Sequence, residues 1–298
     1  GSDDSTGQII SEIAKKDDRV RYIRNEHHGI VCALNTGLDV AKGKYIARMD
    51  ADDFSYPPRL ALQKEHLDSH SEIAMVSCLV DFGGNKEKNK GYFLYVDWIN
   101  SILSSEEIRF NRFVESPFAH PSVMFRKSLI KKYGGYAEGN FPEDYELWLR
   151  WLDLGVKMEK IPEKLLLWND TSTRLSRTEN RYSFDNFYRC KAKYLAEWLK
   201  KHNPHYPDIM LCGSGRTTRK RADMLCKYGI NILSYIDVDP KRIGQKIHTI
   251  PVIAYLDIPS PEKSFIVSYV ANRGAHKQIS NKLEQKGFKK GKNYIFGA

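Results

Sequence analysis

The sequence has few cysteines and lacks a long apolar segment. Its five cysteines, in a chain of 298 residues, are dispersed and form no CxxC pair or metal-ligand spacing. An odd, scattered set predicts reduced thiols and therefore a cytoplasmic protein. No apolar run approaches the ~20 residues needed to cross a bilayer. Residues 1–6 are polar and acidic, which is not the pattern of a signal peptide.

Charge is unevenly distributed along the chain. Residues 1–200 contain 30 Lys/Arg and 30 Asp/Glu, whereas residues 201–298 contain 17 and 7, so the second segment carries the whole net charge of +10. The contrast predicts a domain boundary near residue 200. The basic segment is either a solvated surface or a surface for an anionic partner such as a membrane, a phosphate ligand or an acidic glycan. It lacks the interleaved aromatics of a recognisable nucleic-acid module, so we predict no nucleic-acid partner.

Hydrophobic periodicity predicts an α/β protein. Helical spacing over residues 30–41 leads into an apolar strand at 44–49, and residues 19–24 alternate like a short strand. A helix over 184–200 ends before Pro204, and strands at 209–212 and 231–236 begin a second unit. We therefore predict a first domain over 1–183, a linker helix over 184–204 and a small α/β domain over 205–298.

An acidic cluster, Asp50, Asp52 and Asp53, follows the strand at 44–49. Open α/β sheets bind ligands at the carboxyl ends of their strands. Three carboxylates in four residues repel one another, and a divalent cation would compensate. Mg²⁺ or Mn²⁺ commonly binds one or two carboxylates together with substrate phosphates. The alternative is an acidic turn that caps the next helix.

A second acidic pair, Glu143 and Asp144, opens a strongly amphipathic helix after Pro142. Acidic residues are favoured in a first turn by the helix dipole alone. The same dipole predicts that Asp144 stays ionised at neutral pH, as a carboxylate that accepts a hydroxyl proton must be.

Three further side chains have both a functional and a structural interpretation. His120, beside a predicted strand, is either a ligand contact or a packed residue. Arg174 and Arg177 either reach a diphosphate or lie in a surface loop.

A glycine-rich turn opens the second unit. Gly213 and Gly215 precede a basic helix, and Asp237 ends the next strand, 24 residues after Gly213. This spacing is typical of a dinucleotide site, but Thr218 stands where the third glycine is expected. The turn predicts either NAD(P) or another anionic ligand at the helix N-terminus.

Several of these segments together resemble glycosyltransferase family 2, whose fold is called GT-A. The motifs are residues 29–37 (GIVCALNTG), 41–53 (AKGKYIARMDADD), 57–60 (PPRL), 120–126 (HPSVMFR), 134–136 (GGY) and 143–150 (EDYELWLR). The resemblance covers roughly residues 1–200 and implies a GT-A sheet flanked by helices. The second unit more loosely resembles the Rossmann-like domains of some bacterial sugar-modifying enzymes.

The resemblance implies an inverting, metal-dependent glycosyltransferase of bacterial surface polysaccharide synthesis. A sugar would pass from a UDP-, GDP- or dTDP-sugar to a glycan or lipid-linked acceptor. By the resemblance, Asp52 and Asp50 would hold Mn²⁺ or Mg²⁺, and Asp144 would be the general base beside Glu143. Substrate contacts are predicted at Asn35, Arg48, Asp50, His120, Arg174 and Arg177. A ligand of the second unit is predicted at Gly213, Gly215 and Asp237.

The resemblance to the family is incomplete at the start of the chain. Family members normally open with a strand, a helix and a strand that carry nucleotide-binding aspartates, and the sequence begins just past them. This predicts an incomplete base pocket, and with it an alternative function as a nucleotide-sugar-binding protein with weak turnover. A dinucleotide-dependent redox protein is a third possibility, but it leaves the acidic cluster unexplained. We expect a cytoplasmic location, with the basic unit in peripheral contact with the inner face of the membrane.

Overall fold

The computed structural model describes residues 1–171 and 173–298, except for the side chain of Arg273. The helices are α1 (Thr6–Ala14), α2 (Gly29–Val40), α3 (Arg59–Ser69), α4 (Lys90–Asn100), α5 (Ser105–Asn111), α6 (Ser128–Tyr133), α7 (Glu143–Asp153), α8 (Leu175–Thr178), α9 (Phe184–His202), α10 (Arg216–Cys226) and α11 (Arg273–Gln285). The strands are β1 (Tyr45–Ala47), β2 (Phe54–Ser55), β3 (Ile73–Gly83), β4 (Met124–Arg126), β5 (Lys157–Asn169), β6 (Asp208–Cys212), β7 (Asn231–Ile236), β8 (Lys246–Ile247), β9 (Ile250–Ile253), β10 (Ile266–Ser268) and β11 (Tyr294–Phe296). Short 3-10 turns lie at His120–Ser122, Asn180–Tyr182 and Tyr255–Asp257.

The first sheet has the strand order β1-β4-β3-β5-β2. The long strands β3 and β5 are parallel, and the other neighbours pair antiparallel. Successive side chains of a strand point to opposite faces. Met75 packs in a cluster with Trp148 of α7, while the adjacent Val76 packs in another cluster with Leu67 of α3. The central strand is therefore covered by helices on both faces, and the predicted α/β class is confirmed.

The second sheet has the order β11-β10-β6-β7-β9-β8, and its neighbours are parallel except for β8 with β9. Strands of a parallel sheet are buried on both faces and so read as continuous apolar runs. β6 fits this rule, since Ile209, Met210, Leu211 and Cys212 are all buried. The strands predicted at 209–212 and 231–236 correspond to β6 and β7.

One apolar cluster connects the second sheet with helices α7 and α9. It contains Tyr145 and Leu149 of α7, Leu195 of α9, and Leu211 and Val267 of the second sheet. The helix predicted as a linker thus has a buried face that packs with residues from both parts of the chain.

The strand predicted at residues 19–24 is wrong, because this segment is not in a strand. Tyr22, Ile23 and Arg24 are exposed, and the Arg21 guanidinium donates to the Val40 carbonyl at 2.9 Å. A strand needs a neighbour for its backbone donors and acceptors, and the described chain provides none beside this segment.

The five cysteine thiols form no disulfide within the described residues, and the cytoplasmic location stays a prediction. Within the described residues, every helix is too short or too polar to cross a membrane.

Candidate active site

The acidic cluster forms a tight turn between two anchored strands. After β1, the Arg48 amide donates to the Val123 carbonyl at 3.0 Å, and the Asp53 amide donates to the Asp50 carbonyl at 3.3 Å. One carboxylate oxygen each of Asp50, Asp52 and Asp53 lies within 4.8 Å of the others. An all-oxygen set of this size suits a hard divalent cation.

Asn169, at the end of β5, holds this turn. Its amide N–H donates to the Asp53 carboxylate at 2.8 Å, and its side-chain amide donates to the Asp52 carbonyl at 2.5 Å. Burial, reinforced by the charges of Asp50 and Asp52, raises the pKa of Asp53 to about 6. Keeping these neighbouring carboxylates ionised costs free energy, and a bound cation would offset that cost. The residues therefore fit a metal ion. Asn169 was not predicted, because only strand pairing brings it to residues 52–53.

The second acidic pair opens α7. Pro142 stands before the helix with extended backbone angles, and Glu143 and Asp144 occupy the first turn. The Tyr182 hydroxyl lies 2.9 and 2.8 Å from the two carboxylate oxygens of Glu143. Glu143 is almost fully buried, at 2% exposure. Tyr182 was also missed by sequence reasoning, since it lies 39 residues away.

Asp144 is less acidic than the helix dipole predicts. Burial and then the neighbouring Glu143 raise the pKa of Asp144 to about 7, although the Tyr145 amide and Arg48 act in the opposite direction. Asp144 is therefore only partly ionised at neutral pH, whereas the helix dipole alone favours the ionised form. Loss of hydration outweighs the first-turn dipole. A carboxylate that titrates near neutral pH is well suited to proton transfer.

Both acidic groups line one cavity of about 1090 Å³. Its wall includes Asp50, Asp52 and Asp53 from the turn and Glu143 and Asp144 from α7. The two acidic motifs, about 90 residues apart in sequence, therefore share one cavity.

Arg48, His120 and Arg174 also line this cavity. Arg48 forms an ion pair with Asp50, and its charge also lowers the pKa of Asp144. The Arg174 guanidinium lies 4.2 Å from the centre of the Trp168 ring. Arg48 thus acts on both the acidic turn and the α7 pair.

The His120 ring is buried, and its Nε2 lies 2.7 Å from the Tyr136 hydroxyl. Burial, then Arg48, holds the pKa of His120 well below its usual value, so the ring is neutral. His120 therefore brings no charge to the cavity.

Two predicted contacts lie outside the cavity wall. Asn35 uses its side-chain amide to donate to the Tyr136 carbonyl at 2.9 Å and to accept from the Tyr136 amide at 3.0 Å. Arg177 donates to Asp170 at 2.6 Å. Both side chains instead hold neighbouring segments in place.

The glycine-rich turn of the second unit also lies apart from the cavity. Gly213 has a φ of +94° and Gly215 caps α10. The Asp237 carboxylate accepts from the Ser214 hydroxyl, and from the amides of Ser214, Val238 and Asp239 at 3.0, 2.8 and 3.0 Å. Asp237 therefore organises its own turn.

Comparison with known proteins shows similarity to sugar transferases. The chain is 29% identical over 167 residues to the UDP-Gal:alpha-D-GlcNAc-diphosphoundecaprenol beta-1,3-galactosyltransferase of Escherichia coli, covering 54% of this chain and 58% of that protein. The mannosyltransferase PcManGT of Pyrobaculum calidifontis, solved with GDP-Man and Mn²⁺, is 15% identical, with a TM-score of 0.48 over 77% of this chain and 61% of that one.

A third relative is more similar and is matched over more of its length. The O-antigen biosynthesis glycosyltransferase WbnJ of Escherichia coli is 33% identical over 209 residues, which span 66% of this chain and 76% of that protein. The family model for glycosyl transferase family 2 matches residues 1–134. Together with the two acidic motifs on one cavity, these matches establish that the chain is a glycosyltransferase that belongs to glycosyl transferase family 2.

Proposed function

We propose that the protein transfers a sugar, with inversion, from a nucleotide-diphosphate sugar to a glycan or lipid-linked acceptor in bacterial surface polysaccharide synthesis. The observation that carries the proposal is the shared cavity of the acidic turn and the α7 pair. Its volume, about 1090 Å³, exceeds the upper end of the range typical of small-molecule sites, which leaves space for a donor and an acceptor together.

The donor's diphosphate is assigned to the acidic turn. Asp52 and Asp50, with Asp53 beside them, would hold Mn²⁺ or Mg²⁺ there, and the fit of their oxygens supports the assignment. When bound, the cation supplies positive charge that stabilises the departing nucleoside diphosphate. Arg174 lines the same cavity and is assigned to the diphosphate oxygens, which a guanidinium binds well.

Proton transfer is assigned to Asp144. Its carboxylate takes the proton of an acceptor hydroxyl as that oxygen bonds to the anomeric carbon of the donor. The bond from this carbon to the phosphate oxygen breaks, and its electron pair leaves with the nucleoside diphosphate. Attack from the face opposite the leaving group inverts the anomeric configuration. Glu143, fixed by Tyr182, is assigned to the acceptor pocket.

The substrate class is supported by relatives. Their names include O-antigen biosynthesis and transfer from UDP-Gal to a diphosphoundecaprenol-linked sugar. A lipid-linked acceptor lies at a membrane, and the basic residues 201–298 would favour peripheral contact with an anionic surface. Sedimentation with phosphatidylglycerol vesicles, but not with phosphatidylcholine vesicles, is the result expected for this contact.

A donor screen tests the proposal. The unfolding temperature of the protein is measured with UDP-, GDP- and dTDP-sugars, each in Mn²⁺ and in EDTA. Nucleotide release is then measured for every donor that raises this temperature. We expect Mn²⁺-dependent stabilisation by at least one donor, and its loss in Asp52→Asn. Stabilisation without nucleotide release, with a range of sugar acceptors present, would instead favour the binding-only alternative. No stabilisation by any donor would refute the donor site.

A further inference from the structure

Arg221, on α10 of the second unit, is a buried cation that has no carboxylate partner among the described residues. Its side chain is 7% exposed, and its guanidinium lies 4.4 Å from the Tyr188 ring centre and 5.0 Å from that of Phe184. Nη1 makes one long hydrogen bond, 3.4 Å to the Tyr269 carbonyl, and Nε makes none. Arg221 forms no ion pair within the described residues. A buried guanidinium with open donors is costly unless an anion binds it.

Arg221 lines the cavity that contains Asp52 and Asp144. Ala271, Asn272 and Gly274, from the same part of the chain, also reach this wall. The second unit therefore contributes directly to the candidate active site. Arg221 also borders an adjoining cavity of about 630 Å³, lined with residues of α10 that include Arg216.

A second basic side chain lies on the same wall. Lys191 of α9 is 1% exposed, donates to the Val114 carbonyl at 3.1 Å and lies 3.8 Å from the Tyr188 ring centre. Both basic groups therefore lie close to the Tyr188 ring. Burial holds the pKa of Lys191 well below its usual value, although Glu115 acts in the opposite direction. A guanidinium stays charged, so Arg221 is the charge on this wall that is available to a ligand.

We propose that Arg221, supported by Lys191, is an acceptor subsite that binds a phosphate or diphosphate group carried by the acceptor. The inference rests on the proposed sugar transfer and deepens it by naming the chemistry of the acceptor. A guanidinium presents paired donors that match phosphate oxygens. The donor's diphosphate is assigned to the acidic turn, so a separate anion is needed for this wall. The guanidinium lies against the buried Tyr188 ring and is itself little exposed, and low hydration strengthens its interaction with an anion.

Calorimetry on the full chain tests the subsite. Inorganic pyrophosphate, farnesyl diphosphate and glucuronate are titrated in EDTA, where the metal-free acidic turn repels anions. The variants are Arg221→Met, which keeps an apolar stem against the aromatic rings, and Arg221→Lys, which keeps the charge. Arg216→Met is the matched control, because Arg216 is exposed on the same helix and lines only the adjoining cavity. Unfolding temperatures and Mn²⁺-dependent donor binding are measured for each protein.

We expect the wild type to bind pyrophosphate. Arg221→Met should bind it about tenfold more weakly or worse, as for a lost charge-assisted hydrogen bond, and Arg221→Lys should lie between them. Arg216→Met should stay within about twofold. Donor binding should be the same in all four proteins. Tighter binding of farnesyl diphosphate than of pyrophosphate would assign a lipid-linked acceptor, and equal binding would assign a soluble sugar phosphate; both results support the subsite.

Three results would overturn the inference: no binding of either phosphate probe, equal binding by the wild type and Arg221→Met, or binding of glucuronate as tight as that of pyrophosphate. A failure of the donor function looks different. In that case no nucleotide sugar binds in Mn²⁺, while the dependence of pyrophosphate binding on Arg221 persists.

Discussion

At the scale of single residues, the candidate site is governed by competition between burial and charge. Asp144 and Glu143 lie side by side in a poorly hydrated first turn, where burial raises the pKa of both and the charge of Glu143 raises that of Asp144 further. Arg48 opposes this from the neighbouring strand end, where it also pairs with Asp50. Asp144 therefore titrates in the range where a base can both accept and release a proton.

Replacing Asp144 by Asn should abolish most of the transfer and leave donor binding intact. Loss of a positioned base typically costs about 10²–10⁴-fold in rate. The control is Asp153→Asn, at the opposite end of α7, where the side chain pairs with Lys201 on the surface. The two variants are compared by their initial transfer rates and by donor titrations with Mn²⁺. Comparable rates for the two variants would count against Asp144 as the base.

The same substitution should not weaken the fold at pH 8. Because the folded pKa of Asp144 is raised to about 7, the folded state binds this proton more tightly than the unfolded chain does. Ionisation at pH 8 therefore destabilises the fold, and Asn removes that cost. A Tm for Asp144→Asn equal to or above that of the wild type is expected. A clear drop would show that Asp144 has a structural role.

The transfer rate should rise with pH across neutrality. The base works in its ionised form, which becomes populated as pH passes the raised pKa of Asp144, near 7. In Glu143→Gln the neighbouring negative charge is gone, so the pKa of Asp144 should fall and the profile should move to lower pH. Transfer rates at limiting acceptor concentration, measured from pH 5.5 to 8.5, give the midpoint of the pH profile for the wild type and for Glu143→Gln. A midpoint that stays in place or moves upward in this variant would contradict the assignment.

At the scale of elements, α7 combines a reactive first turn with an apolar body. Its residues Leu147, Trp148, Leu149 and Trp151 are almost fully buried, so the helix axis is fixed on both sides. A fixed helix holds Glu143 and Asp144 against the cavity without help from a ligand.

Leu149→Ala should destabilise the protein by about 2–5 kcal/mol, because it leaves a cavity at a fully packed position. Leu154→Ala, just beyond the end of the same helix, is the matched control. Leu154 is 49% exposed, and changes at such positions usually stay within about 0.5 kcal/mol. Urea unfolding of both variants gives the difference. Equal midpoints would mean that α7 is not part of the core.

At the scale of the whole molecule, the second sheet packs against helices α7 and α9 through one apolar cluster. The cluster contains Tyr145 of α7, Leu195 of α9 and Val267 of the second sheet. It therefore continues without a break from one unit into the other. The basic second unit also supplies Arg221 to the wall of the cavity. The division into domains at residues 183 and 204 stays a prediction about sequence units.

We expect a single cooperative unfolding transition for the full chain. Separating the units would expose the shared cluster to water, so neither is stable without the other. Differential scanning calorimetry tests this directly. Two resolved transitions, or a soluble and folded fragment of residues 1–204, would show that the cluster contributes little.

Local features were accessible from the sequence, because they depend on neighbouring residues. The acidic turn, the amphipathic α7 and the buried strands β6 and β7 each have a pattern within a few residues. The strand predicted at residues 19–24 failed for the complementary reason. An alternating pattern states which side chains can share a face, but only a neighbouring strand makes it part of a sheet.

By itself the sequence determined the family, the α/β class and the two acidic motifs. Tertiary structure decided which groups meet: Asn169 with the acidic turn, Tyr182 with Glu143, and Arg221 with the same cavity. It also decided the pKa of Asp144, which a helix dipole alone predicts in the wrong direction. The reason is that desolvation and charge act through space, and the distances involved exist only once the two sheets and α9 have packed together.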